Sequence, residues 1–95
     1  MAWLIVEDAV MDMQHIAEDG ILNFGDSHAR AYASKLIDMF ERLADMPYLA
    51  PERQAASMVV RLMPCGAHHI TYVVENEDVI ILRVLHGLQD WFELL

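Results

Sequence analysis

The sequence predicts an α+β fold in which a helical hairpin packs on one face of a small, mainly antiparallel sheet. Between residues 7 and 46, apolar residues recur at helical spacing in two segments separated by a glycine. Three short segments rich in β-branched and apolar residues follow in the second half of the chain. Because a further short apolar run precedes the helices, the expected element order is β-α-α-β-β-β.

The helical half begins with an apolar run at residues 3–6, which is typical of a short strand. Directly after it, the apolar residues form one helical stripe, and Gly25 suits the C-terminal cap of this first helix. Asp26 or Ser27 is then expected to cap a second helix, which ends before Pro47. The two helices therefore form a hairpin.

The second half of the chain predicts three strands after a connecting loop. Residues 47–57 contain two prolines and no clear periodicity, so we expect a loop there. The strands are expected at residues 58–63, 69–75 and 79–85. The last of them is nearly all aliphatic, which suits a central strand covered on both faces. The tail, residues 88–95, is typical of a short amphipathic helix that folds back.

Length and charge limit the classes of protein. The 95 residues predict a single domain covering residues 1–95. Hydrophobic residues make up 56% of the chain, which indicates a dense core or apolar surface kept for a partner or a second copy in an oligomer. Fifteen acidic and six basic residues give a net charge of −9. This charge argues against direct nucleic-acid binding, because phosphate recognition needs clustered lysines and arginines.

Cysteine content and hydropathy indicate a cytoplasmic protein. Cys65 is the only cysteine, which excludes an internal disulfide and fits a reducing compartment. The N-terminus lacks the basic region of a signal peptide, and no apolar run approaches the ~18 residues that a membrane span needs. Four scattered glycines form no phosphate-binding loop. We therefore expect neither a membrane contact nor a cofactor.

The last predicted strand ends in charged and titratable side chains, Arg83 and His86. Unless a bulge intervenes, the alternation of side chains along a strand places these two residues on opposite faces and not in one site. Arg83 would then lie with Val79, Ile81 and Leu85, and His86 with Ile80, Leu82 and Val84. An arginine among aliphatic residues can bind a partner's carboxylate bidentately, and an internal salt bridge is an equally weighted alternative.

Cys65, His68 and His69 are weaker candidates for chemistry. Together with His86 they are zinc-ligand types, but His68 and His69 are adjacent and point to opposite faces of an extended segment. Cys65 precedes a histidine by three residues, yet nucleophilic catalysis needs a defined geometry that proximity in sequence does not supply. We predict no metal site and leave the roles of these three residues open.

The segment RLMPCGAHHITYVVENEDVIILRVLHGLQD combines an arginine, Pro-x-Gly, a histidine, a tyrosine-bearing strand and a final I-x-R-V-L-H-G-x-x-D. The positions that carry this pattern are Arg61, Pro64, Gly66, His68, Tyr72, Arg83, Val84, Leu85, His86, Gly87 and Asp90. On these residues, the chain resembles the ParE-like branch of the RelE/ParE superfamily of type II toxin–antitoxin toxins. The helical half matches that superfamily in pattern only.

The resemblance implies a small toxin that is neutralised by a cognate antitoxin, whose C-terminal segment wraps around it. ParE-like members typically poison DNA gyrase, which makes gyrase the expected target. RelE-like relatives cut messenger RNA on the ribosome, which makes a ribosome-dependent endoribonuclease the alternative. Such toxins are commonly basic and often carry arginines after the His-Gly pair, where this chain is acidic and has Leu88-Gln89. A toxin-derived module that has lost toxicity is therefore a third interpretation.

Arg61, Arg83 and His86 are the candidate residues for binding the target or the antitoxin. RNA cleavage through the 2′-OH would need a base, an acid and cations, and these three residues could fill those roles. The chain offers few other basic groups, so a non-catalytic inhibitor is favoured over an enzyme and no catalytic residue is assigned. We expect Arg83→Ala to weaken binding without loss of the fold.

Overall fold

The computed structural model describes residues 2–87 and 91–95. The elements are β1 (Trp3–Ile5), α1 (Glu7–Phe24), α2 (Asp26–Asp45), β2 (Glu52–Gln54), β3 (Val59–Cys65), β4 (His68–Glu75), β5 (Asp78–His86) and α3 (Trp91–Leu94). The strands form one sheet in the order β1-β5-β4-β3-β2. β1 runs parallel to β5, and the other neighbouring pairs are antiparallel. The predicted α+β class, with a helical hairpin on a mainly antiparallel sheet, is confirmed.

The sheet carries an apolar layer on each face. The layer under the helices contains Leu36 and Phe40 of α2 together with Tyr72, Val79 and Ile81 of the sheet. A smaller cluster around Ala55, Val60 and Leu95 covers the opposite face, with Leu82 and Trp91 packed against it. β5 contributes to both layers, which confirms that its aliphatic sequence belongs to a strand covered on both sides.

The C-terminal tail folds back onto the sheet, as its composition predicts. The Ala56 N–H donates to the Phe92 carbonyl at 2.9 Å, and the Ser57 N–H donates to the Leu95 carbonyl at 3.0 Å. The Ser57 hydroxyl donates to the same Leu95 carbonyl. These bonds hold α3 against the segment before β3. Residues 88–90, which also belong to the predicted tail helix, lie outside the described residues.

Two predicted boundaries differ from the structure. The segment expected to be a loop contains β2, which is a fully exposed edge strand, ERQ, without apolar alternation. β3 continues past its predicted end through Pro64 to Cys65. Since β2 pairs only with residues 59–61, Pro64 lies where β3 has become the edge of the sheet, a position at which proline is tolerated.

The turn between the helices depends on Gly25. Its φ of +88° with ψ of 165° is a backbone conformation that belongs almost exclusively to glycine. The expected side-chain cap by Asp26 or Ser27 is wrong, because Gly25 itself occupies the N-cap and no side-chain cap bond forms. Asp26 lies inside the first turn of α2 instead, where its carboxylate pairs with Arg30 at 3.0 Å.

β5 contains a bulge close to its C-terminal end. Ile81 pairs with Tyr72 on β4, but the next pair joins Arg83 to Thr71, so Leu82 has no partner on that strand. An extra residue of this kind shifts the alternation of side chains and twists the strand locally. The positions after Leu82 therefore face the opposite way from a regular strand.

The bulge changes which residues share a face of β5. Val84, which regular alternation places away from Val79, belongs to the same buried cluster under the helices. Because the bulge precedes both Arg83 and His86, it does not change their alternation relative to each other. Both side chains nevertheless line one cavity, since β1 pairs with β5 only as far as Ile81 and Arg83 reaches Asp12 of α1 beyond that point. The expectation that the two residues do not share a site is therefore wrong. Among residues 2–87 and 91–95, no helix is long and apolar enough to cross a bilayer.

Candidate functional site

A cavity of about 730 Å³ lies between the C-terminal half of α1, the N-terminal half of α2 and the end of β5. Its apolar walls include Ile16, Phe24, Ala29, Val84 and Leu85. The polar side chains around it are His15, His28, His68, His86, Asp12, Asp19, Asn23, Tyr32 and Arg83. This cavity, the hairpin groove, combines apolar surface with convergent polar groups, as binding sites commonly do.

Arg83 is held at the wall of the groove by Asp12. The Nε of Arg83 donates to Oδ2 of Asp12 at 2.7 Å, and a terminal nitrogen donates to Oδ1 at 2.9 Å. Both side chains are largely buried. The hydrogen bonds that Arg83 donates to Asp12 raise the pKa of Arg83 above its ordinary value, so the guanidinium stays charged.

Asp12 occupies this position because β1 is short. β1 pairs only with residues 79–81 of β5, which leaves the later residues of β5 without a neighbour on that side. The carboxylate of Asp12, on α1, accepts the Val84 N–H at 2.9 Å and supplies the bond that a longer β1 would have made. One carboxylate thus joins the helical hairpin to both the side chain and the backbone of β5.

The structure gives Arg83 the internal salt bridge that was the alternative to binding a partner's carboxylate. Its bidentate hydrogen bonds are made to Asp12 and leave less of the guanidinium for another molecule. A direct role for Arg83 in binding stays a prediction. Its contribution to the position of α1 on β5 follows from the geometry.

His86 lies beside His68 at the mouth of the groove. Their ring centroids are 5.2 Å apart, and the rings are nearly perpendicular. His86 is exposed, whereas His68 is half-buried and its Nδ1 lies 2.6 Å from the hydroxyl of Tyr32. Burial, and secondly the neighbouring His86, lower the pKa of His68. We infer that His68 is neutral at pH 7 and accepts the Tyr32 hydroxyl hydrogen at Nδ1.

Tyr32 of α2 also fixes the turn between β3 and β4. The Ala67 N–H donates to its hydroxyl oxygen at 3.0 Å. Gly66 precedes this contact with a φ of +60°, and a Cβ at that position would lie 2.7 Å from the same oxygen. The close approach of the turn to Tyr32 therefore explains the glycine of the Pro-x-Gly motif. Burial raises the pKa of Tyr32, which keeps its hydroxyl protonated at neutral pH.

Arg61 lies outside the hairpin groove, on β3, which β4 separates from β5 in the sheet. Its terminal nitrogen donates to the Ala50 carbonyl at 2.6 Å, and its guanidinium lies 4.9 Å from the centre of the Tyr48 ring. The neighbouring Tyr72 donates its hydroxyl to the Pro47 carbonyl at 2.8 Å. Arg61 and Tyr72 therefore hold the loop after α2. The three candidate residues do not form one site, because only Arg83 and His86 line the groove.

Cys65 and His69 have different surroundings. Cys65 is buried, and burial raises the pKa of its thiol, which disfavours the nucleophilic thiolate. The Nδ1 of His69 is buried without a hydrogen-bond partner among the described residues. Within residues 2–87 and 91–95, no three histidine, cysteine, aspartate or glutamate side chains are arranged to hold a metal ion.

Asp12 and Tyr32 are the residues of this site that the sequence did not reveal. Asp12 lies off the apolar stripe of α1, and its only signal is that a largely buried arginine needs a carboxylate partner. Tyr32 lies in the helical half, where no motif singles it out. Both residues act across more than thirty positions of the chain, so their partners depend on tertiary structure.

Comparison with known proteins relates this architecture to one family. The family model described as ParE toxin of type II toxin-antitoxin system, parDE, matches residues 4–91. Toxin ParE3 of Caulobacter vibrioides is 29% identical over 76 residues, which are 80% of this chain and 76% of that protein. A chain of the chromosomal ParDE TA system from P. aeruginosa superposes with a TM-score of 0.76 at 16% identity. The match covers 92% of this chain and 96% of that one, and shows a shared fold.

Proposed function

Because the chain belongs to the ParE toxin family of type II toxin–antitoxin systems, we propose that it acts by binding DNA gyrase without catalysis and that a cognate antitoxin neutralises it. The membership makes it a ParE-type toxin. The target and the mode of action are the parts that are proposed. Since gyrase works on the chromosome of a bacterial cell, the proposed site of action is the cytoplasm.

The engagement of Arg83 by Asp12 is the observation that favours binding over RNA cleavage. A nuclease that uses the 2′-OH must stabilise the negative charge of a phosphorane with cations directed at it. Arg83 is the only lysine or arginine among the described residues that line the groove, and its charge is matched by a carboxylate 2.7 Å away. A phosphate that approached it would also meet the repulsion of Asp12 and Asp19.

The shape and chemistry of the hairpin groove support protein binding. Its apolar walls can take the side chains of a partner segment, and the imidazoles at its mouth can donate or accept hydrogen bonds. The groove also lies where, on the side of β1, no described strand pairs with β5 after residue 81. A partner could therefore lay a helix in the groove or extend along the edge of β5.

One observation favours the ribosome-dependent endoribonuclease as a second candidate. His86 is exposed next to the neutral His68, and two adjacent imidazoles can serve as acid and base. The ribosome would then have to provide cations, because the one arginine in the described part of the groove is paired with Asp12. A histidine pair without such groups is a weaker argument than the matched charge of Arg83.

Two assays on the same preparation test the proposal. The purified toxin is expected to inhibit gyrase-catalysed supercoiling of a relaxed plasmid, and the antitoxin encoded beside it is expected to relieve the inhibition. His86→Ala, which alters an exposed side chain, should reduce the inhibition, while Arg53→Ala on the exposed β2 should not.

Induction of the toxin in cells distinguishes the alternatives. Intact messenger RNA together with relaxed chromosomal DNA supports gyrase as the target. Transcripts cut at defined positions, with normal supercoiling, would replace the proposal by the endoribonuclease. Unimpaired growth at high expression would show that the protein has lost toxicity.

A further inference from the structure

α1 exposes large apolar side chains to solvent along its length. Five large apolar residues of this helix are exposed: Val10, Met11, Ile21, Leu22 and Phe24. Leu22 and Phe24 stand out, with 83% and 70% of their surfaces accessible. Such a concentration on one helix of a small protein indicates a contact surface for another molecule.

The same helix carries negative charge without any positive charge. α1 contains five acidic residues and no lysine or arginine, and the first basic residue of the chain is Arg30. Arg83 pairs with Asp12, and Arg30 pairs with Asp26. The other four acidic residues of α1 are exposed and make no ion pair within the described part of the chain: Glu7, Asp8, Glu18 and Asp19.

The apolar and acidic residues of α1 lie side by side. Met11, His15, Glu18 and Leu22 recur at intervals of four, three and four residues, so they form one stripe along the helix. With a rise of about 1.5 Å per residue, this stripe is about 16 Å long. Asp19 flanks the stripe and also lines the hairpin groove. The surface is therefore continuous from the outside of α1 into the groove.

We infer that this acidic and apolar face of α1 is the docking site for a positively charged, amphipathic segment of the antitoxin. The inference rests on the proposed function and adds the chemical character of the partner. Lysine and arginine side chains of the antitoxin would match both parts of this face. Their long methylene stems can cover Met11 and Leu22, and their charged ends can reach Glu18 and Asp19.

The charge of α1 also decides between this occupant and others. A second copy of the chain would place two acidic helices against each other, and like charges across an interface cost several kcal/mol. Nucleic acids and anionic lipid surfaces meet the same repulsion. A cationic protein segment gains from both the apolar and the acidic residues.

A pair of charge-reversed variants tests the inference. The probe is the polypeptide encoded by the reading frame beside that of the toxin, used as the antitoxin. Glu18→Lys with Asp19→Lys reverses two charges on the docking face. Asp38→Lys with Glu41→Lys makes the same change in net charge at two exposed positions of α2 outside the groove. Circular dichroism and thermal melting establish that both variants are folded.

The expected result is a loss of affinity that depends on position. The α1 variant should raise the dissociation constant about tenfold or more, because attraction becomes repulsion, while the α2 variant should change it by less than about threefold. Affinity for the unaltered toxin should fall as sodium chloride is raised, and the α1 variant should have a weaker or reversed salt dependence. Equal affinities for the two variants, or an acidic antitoxin segment crosslinked to α1, would overturn the inference.

The apolar half of the face has its own control. Leu22→Ala removes a side chain that is 83% exposed and is expected to weaken antitoxin binding about fivefold or more. Ile37→Ala on α2, which is 41% exposed, should have little effect. If the antitoxin binds and neutralises the toxin but its affinity is unchanged by every α1 substitution, the proposed function stands and the inference fails. If it neither binds nor neutralises the toxin, both fail.

Discussion

β5 and β3, which β4 separates in the sheet, each carry one arginine of the sequence motif, and the two arginines have different partners. On β5, at the hairpin groove, Arg83 meets the carboxylate of Asp12 in a largely buried ion pair. On β3, beside the loop after α2, Arg61 meets the neutral carbonyl of Ala50 and the face of Tyr48. The first arrangement neutralises a charge inside the protein, and the second leaves the guanidinium without an ion-pair partner among the described residues. The arginines therefore differ in what their removal leaves behind.

Removal of Arg83 should have the largest effect, because it leaves Asp12 without its counter-ion in a largely buried position. We expect Arg83→Ala to lower the free energy of unfolding by about 2–3 kcal/mol. The sequence-based expectation is that this variant keeps its fold, and a folded but less stable protein would agree with both predictions. Urea denaturation of the variant and the unaltered protein measures the difference.

A double-mutant cycle isolates the ion pair. Asp12→Ala alone should also destabilise, since it removes the partner of both Arg83 and the Val84 N–H. The double variant is expected to be more stable than the sum of the single effects predicts, by about 1 kcal/mol or more. Additive effects would mean that the pair contributes nothing, and the contrast between Arg83 and Arg61 would disappear.

Features that depend on neighbours in sequence could be predicted, whereas contacts between distant residues such as Asp12 and Arg83 could not. Hydrophobic periodicity predicted the hairpin and the central strand, because those patterns depend on neighbours in sequence. The bulge at Leu82 left no local signal, and neither did the contact with Asp12 that brings Arg83 into the same groove as His86. Asp12 was visible only as an acidic residue off the apolar stripe. Its pairing with a residue 71 positions away could not be predicted from spacing.

The turn between β3 and β4, which contacts Tyr32, offers a second and smaller effect on stability, and Gly87 provides a matched control. Gly66 and Gly87 have nearly the same φ, +60° and +58°. A Cβ at Gly66 would lie 2.7 Å from the Tyr32 hydroxyl, whereas a Cβ at Gly87 meets no atom of residues 2–87 and 91–95 within 4 Å. Alanine at either position should cost about 1 kcal/mol from the left-handed backbone conformation.

The difference between these two alanine variants measures the contact with Tyr32. We expect Gly66→Ala to destabilise by about 1 kcal/mol more than Gly87→Ala, since the turn must move away from α2. In a Tyr32→Ala background, the extra cost should vanish. Equal destabilisation by the two substitutions in the unaltered protein would show that Tyr32 does not fix the turn between β3 and β4.

Arg61→Ala should destabilise the protein less than Arg83→Ala or Gly66→Ala, by about 1 kcal/mol. It removes one hydrogen bond and one cation–π contact but leaves no buried charge. The released Ala50 carbonyl belongs to a loop that Tyr72 still holds through Pro47. Arg53→Ala, on the exposed strand β2, is the control for loss of one positive charge and should be nearly neutral. The same denaturation series measures all three arginine variants. If Arg61→Ala were as costly as Arg83→Ala, the charge that Arg83→Ala leaves on the buried Asp12 would not be what distinguishes the two arginines.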